Sequence, residues 1–90
     1  AVRTQLVALV RGELPDMLLW VRRYGESGAV LVAQPDEIWN HPWSDALQRV
    51  DGSWSVVVPL WTEDEAPSDL TAELSVDAAG AATIDDVHVL

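Results

Sequence analysis

An imidazole set among carboxylates can bind a metal ion or move a proton, and the C-terminal run "IDDVHVL", residues 84–90, offers one. Strand alternation puts Asp86 and His88 on one face when Val87 and Val89 take the other. "DLTAELSV", residues 69–76, alternates as well, with Leu70, Ala72, Leu74 and Val76 on one face and Asp69, Thr71, Glu73 and Ser75 on the other. Antiparallel pairing of these two runs brings Glu73 beside Asp86 and His88. Two carboxylates and an imidazole suit zinc or iron, or a histidine base oriented by an acid. The plainer reading is a surface histidine paired to a carboxylate, with one of Asp85 and Asp86 filling a bulge. No second histidine lies near in sequence, so no catalytic residue, metal or cofactor is assigned.

A second group is the acidic connection in "LWTEDEAPSDLTAE", residues 60–73, where Glu63, Asp64, Glu65 and Asp69 sit between two β-like runs. Their oxygens could hold calcium or magnesium. A calcium loop, however, places ligands at alternating positions around a glycine and closes on a bidentate glutamate, and "EDEAPSD" matches no such loop. Docking arginine or lysine side chains of a partner asks only for charge and access. Glu63, Asp64, Glu65 and Asp69, with Trp61, are therefore the expected partner-binding residues. A third group is "WNHPW", residues 39–43, whose two tryptophans could stack a planar ligand, a sugar or a proline-rich peptide, or could close the core as a lid. Trp39, Trp43, Glu73, Asp86 and His88 form the alternative, ligand-binding set. The sequence has no nucleophile elbow, glycine-rich phosphate loop or HExxH, which makes an enzyme the minority reading.

Charge divides the chain. The net charge is −10, and residues 51–90 carry nine acids and no arginine, while all five arginines lie in residues 1–50 beside six acids. Such a field repels phosphate backbones, which argues against nucleic acid, and attracts basic surfaces. It also serves solubility. The absence of cysteine excludes disulfides and thiolate metal sites. No apolar run reaches the roughly 20 residues of a membrane helix, and the opening residues do not read as a secretory signal, so the expectation is a cytoplasmic protein without a membrane partner.

The elements that would position these residues follow from periodicity. Val2, Leu6, Leu9 and Val10 have helical spacing, with Gly12 as a stop. "LPDMLLWVRRYG" predicts a second helix, with Pro15 and Asp16 at its start and Arg22, Arg23 and Gly25 at its end. Leu14, Met17, Leu18 and Val21 make its buried stripe, widened by Leu19 and Trp20. "AVLVA" followed by "QPDEIWNHPW" predicts an irregular middle with one helical turn near Asp36–Trp39. "LQRV", "WSVVVPLW", "DLTAELSV" and "ATIDDVHVL", separated by "DGS", the acidic link and "DAAG", read as antiparallel strands. Pro59 marks a local edge or bulge. The five tryptophans are expected to anchor the core. Val57, Pro59 and Trp61 share an outer face that needs a cover, whether a first-half segment, a second subunit, a ligand or a partner. The expectation is a single α+β domain over residues 1–90, with two N-terminal helices packed on a three- to four-stranded antiparallel β-meander.

Within residues 54–90, "LWT", the acidic link, "SDLT" and the closing "IDDVHVL", together with "QPDEIW" at 34–39, resemble a family of small, functionally uncharacterised bacterial proteins. The layout is also similar to cystatin-like and nuclear-transport-factor-two-like folds. The resemblance implies a fold and brings no activity with it. The functional expectation is a non-enzymatic protein-protein interaction domain whose acidic surface docks a basic partner, as an immunity protein or inhibitor would. The alternative is a small-ligand or metal-binding domain that is also open to catalysis, and a homodimer joined through the outer sheet face is a third reading.

Overall fold

Val2, Leu6 and Leu9 recur every third or fourth position, and Val2–Val10 is helix α1, with Leu6 and Leu9 buried and Val2 packed against the core. The computed structural model describes residues 2–25 and 28–89. α1 stops at Gly12, whose φ of 77° is open to glycine. The Gly12 N–H donates to Leu9 O and the Glu13 N–H to Ala8 O, the paired bonds that close a Schellman end.

The second helix differs from the expectation. It divides into a 3-10 turn, Pro15–Met17, and a short helix α2, Leu19–Arg23, separated at Leu18 (φ −98°, ψ 7°). The Leu18 N–H bonds back to Pro15 O, tightening the chain where a continuous helix would have bonded one residue earlier. Leu14, Met17, Leu18 and Val21 still face the core, but Leu19 and Trp20 are exposed, because they lie off the stripe and no further layer covers them.

Four strands follow: β1 Asp45–Gln48, β2 Trp54–Pro59, β3 Leu70–Val76 and β4 Ala82–Val89. They form one antiparallel sheet in chain order, so every connection is local. The β1–β2 turn is held by Asp51, whose carboxylate accepts from the Ser53 N–H and hydroxyl. Asp77 fixes the β3–β4 turn by accepting from the Ala79 and Ala81 N–H groups. The helices pack against β4 on one face, and the core is Leu6, Leu9, Val21, Ile38, Val58, Leu60, Trp61, Leu70, Ala72, Leu74, Ile84 and Val87. No helix among the described residues is long and apolar enough to cross a membrane.

Two details of β2 bear on the site. β1 reaches only Val57, so Pro59 lies past its end, where no ladder partner awaits a missing N–H. The strand also stops at Pro59, short of the Trp61 that the sequence suggested. The middle region is irregular as expected: a 3-10 turn at Asp36–Trp39 and an isolated bridge between Leu31 and Thr62. It is fastened by Gln34, whose amide donates to Val32 O (2.7 Å) and Trp61 O (2.9 Å) and whose carbonyl accepts from the Trp61 N–H (2.8 Å). A side chain thus stands in for a strand ladder.

The tryptophans correct a second expectation. Only Trp61 belongs to the core, whereas Trp20, Trp39, Trp43 and Trp54 are all substantially exposed. Two short helices form too small a layer to cover the sheet and the middle segment together.

Candidate functional site

The acidic loop starts where Gln34 grips Trp61. Thr62 N–H donates to Glu65 O, and the Thr62 hydroxyl accepts from the Glu65 N–H, closing a tight turn over Glu63 and Asp64. Glu63 N–H donates to Val30 O, tying the turn to the middle segment. On the returning side, the Ser68 N–H and hydroxyl both donate to Leu60 O, and the hydroxyl accepts from the Leu70 N–H. Ser68 is buried, and these bonds satisfy it.

Tyr24 spans the loop's mouth. Its hydroxyl donates to the Glu65 carboxylate at 2.6 Å and accepts from the Asp69 N–H at 3.2 Å. The bond to the Glu65 carboxylate raises the phenol's pKa above its ordinary value, against a smaller lowering by the Asp69 N–H. Glu63, Asp64, Glu65 and Asp69 are all exposed. Among the described residues, none of these four carboxylates is paired with an arginine; the one arginine–carboxylate bridge is Arg3 with Asp36. Val30, 57 % exposed, lies beside Glu63 and adds an apolar contact to the rim.

Trp61 departs from its expected place at this surface. At 8 % exposure it is a core residue, and its role is to anchor the loop from beneath. His41 stands edge-on against it, with ring centroids 5.6 Å apart, and edge-on against Trp43 at 5.0 Å. His41 therefore supplies part of the cover for the outer-face residues, and Pro59 and Thr71 on that face are buried. Trp39 stands apart from this stack, within reach of the Arg3 guanidinium 5.7 Å above its ring. The two tryptophans of the alternative site thus do not stack as a pair. Trp39 instead lines a cleft of about 320 Å³ between α1 and the middle segment, with Arg3, Leu6, Val10, Arg11 and Ile38.

The other half of the alternative site does assemble. Glu73 pairs with Asp86 across β3 and β4, and Thr71 with His88. The register shifts between Glu73 and Leu74, where Leu74 meets Ile84 and Asp85 becomes the extra residue. That bulge lets Ile84 and Val87 both reach the core while Asp86 and His88 share the outer face with Glu73. The Ser75 hydroxyl donates to Asp85, which fixes the extra residue in place. One donor atom from each of Glu73, Asp86 and His88 lies within 4.8 Å of the others. Val89, expected inside, is partly exposed at the end of β4.

Residues 3–90 match a family described as a domain of unknown function, DUF7668. The chain belongs to that family. No curated protein and no solved structure matches it. The DUF7668 match runs from α1 to the end of β4, so the acidic loop, its Tyr24 and Gln34 tethers and the Glu73–Asp86–His88 set all lie inside one family domain. Sequence reading missed Tyr24, Gln34 and Val30 as parts of this DUF7668 surface. Their partners lie 27 to 45 residues away or, for Val30, across an isolated bridge, and no spacing rule reports such contacts.

Proposed function

We propose that this domain is a non-enzymatic protein-binding module whose acidic loop docks a basic surface of another protein, in the manner of an immunity protein or inhibitor. The observation that carries the reading is a braced loop presenting four exposed carboxylates that have no arginine partner among the described residues. Like charges held together repel, and a partner's arginines or lysines would relieve that repulsion on contact. Because Tyr24, Val30 and Gln34 already hold the backbone, little ordering entropy remains to be lost on binding. The nine acids of residues 51–90, with no arginine or lysine among them, extend the attractive field beyond the contact itself. The bacterial provenance, the cystatin-like or nuclear-transport-factor-two-like layout and a cytoplasmic location belong to this same reading.

The test uses a variant that leaves the brace intact: Glu63→Gln, Asp64→Asn and Asp69→Asn, with Glu65 kept for Tyr24. Basic proteins retained from extract by the wild type are identified, purified and measured for association rate at several salt concentrations. The variant should associate about 10-fold more slowly at low salt, with a flatter dependence on ionic strength. Equal rates and equal salt slopes for the two proteins would remove the acidic loop from the interface.

A further inference from the structure

Glu73 and Asp86 both stand at ion-pair distance from one nitrogen of His88, and neither contact has hydrogen-bond geometry. The Nδ1 atom of His88 lies 3.3 Å from Glu73 Oε2 and 3.3 Å from Asp86 Oδ2. Yet Nδ1, a buried atom, makes no hydrogen bond to either. A single ring N–H points along one direction in the ring plane, and here neither oxygen lies where that donor would aim. Two carboxylate oxygens converge on one imidazole nitrogen that bonds to neither.

The spacing fits a shared ion. Donor atoms bound to zinc at about 2.0–2.2 Å in a tetrahedron stand roughly 3.3–3.6 Å from one another. The two nitrogen–oxygen separations of 3.3 Å are of that size, and all three donor atoms lie within 4.8 Å of one another. A second observation comes from Thr71, directly across the strand pair from His88. Thr71 is 2 % exposed and its Oγ1 has no partner, so a buried hydroxyl with donor and acceptor unspent stands on the same face. A water on the ion's open fourth position would give that hydroxyl a partner.

We propose that Glu73, Asp86 and His88 form a divalent metal site on the outer face of β3 and β4, of the borderline class represented by zinc. Mixed nitrogen and oxygen donors favour such ions over calcium or magnesium, which take all-oxygen shells. The acidic half of the chain concentrates cations near the site. The bulge at Asp85 is what makes the set: without the extra residue, β4 could not place Val87 inward and Ile84 inward while turning Asp86 and His88 outward. This site uses none of the carboxylates of the docking loop, and each proposal stands or falls without the other.

Zinc chloride titrated calorimetrically into tag-free protein should give one site with a dissociation constant on the order of micromolar. His88→Gln should weaken it about 100-fold or more, and Glu73→Gln about 10-fold or more. Asp64→Asn, which removes an acid of the docking loop, should leave it within about 3-fold, and magnesium at the same concentrations should give no saturable site. A measurement on the wild type guards against misfolded variants: cobalt should broaden and shift the His88 imidazole proton resonances far more than those of His41, the other histidine. Absence of saturable zinc binding would overturn the site. So would zinc affinity indifferent to His88→Gln, or cobalt effects equal at both histidines, which would mark a diffuse acidic field.

Discussion

Gln34 is the most exacting test of how the first half of the chain holds the acidic loop. Replacing it with methionine, of similar length and volume, removes two amide donations and one carbonyl acceptance at 2.7, 2.9 and 2.8 Å. The Trp61 N–H then has no other acceptor among the described hydrogen bonds, although Trp61 O keeps the Val32 N–H at 3.4 Å. One buried donor left unsatisfied costs about 1–3 kcal/mol, and the two lost donations about 1 kcal/mol more, for roughly 2–4 kcal/mol. In a domain of this size that corresponds to a melting temperature lower by about 10–25 °C. Gln34→Glu sharpens the test, because it keeps the acceptor for Trp61 N–H but sets a second oxygen against the Val32 and Trp61 carbonyls. Only its protonated form can donate there, so its folded pKa is raised above the unfolded value of about 4.3. Its contribution to stability is present below that unfolded value and is lost as pH rises through the folded one. Urea unfolding followed by circular dichroism at pH 7 and pH 4 should therefore show the Gln34→Glu deficit, relative to wild type, shrinking on acidification. The Gln34→Met deficit should hold constant. A methionine variant within about 0.5 kcal/mol of wild type, or a glutamate deficit indifferent to pH, would refute the clamp.

Two further outcomes test the loop's surroundings. Tyr24 is the single tyrosine, so the ultraviolet absorbance of its phenolate reports it alone, and its midpoint should lie above the ordinary value of 10.0 and fall back toward it in Glu65→Gln. The sign follows from a raised acid: the stabilisation is full below the unfolded pKa and disappears as pH rises through the folded one, and a midpoint unmoved by Glu65→Gln would sink the clasp. Gly28 and Gly12 form a matched pair, since both have positive φ, 82° and 77°, but a Cβ at Gly28 would meet Arg22 O at 2.8 Å whereas one at Gly12 meets nothing within 4 Å. Gly12→Ala should cost about 1 kcal/mol and Gly28→Ala at least about 2 kcal/mol by urea unfolding, and equal costs would contradict the close approach.

What the sequence reveals here depends on how far apart the partners are. The meander was legible because alternation at "DLTAELSV" and "ATIDDVHVL" is a local signal and short turns join neighbouring strands. The same locality brought Glu73, Asp86 and His88 forward as neighbours, but whether they share a face was open, because a bulge between Asp86 and His88 would part them and its actual place at Asp85 shows only in the strand pairing. The division of the second helix at Leu18 was not readable, because helical spacing is preserved on either side of it and the break lies in the backbone angles of one residue. Nor was the exposure of four tryptophans, which depends on how much surface two short helices can cover. The two candidate surfaces therefore differ in kind. The histidine–carboxylate set needs only one hairpin in register. The acidic loop keeps its shape through Tyr24, Val30 and Gln34, from parts of the chain 27 to 45 residues distant or joined by a single bridge. Ordering such distant contacts costs more chain entropy than closing a hairpin. The loop's presentation thus depends on the whole domain being folded, which suits a surface that must meet its partner already formed.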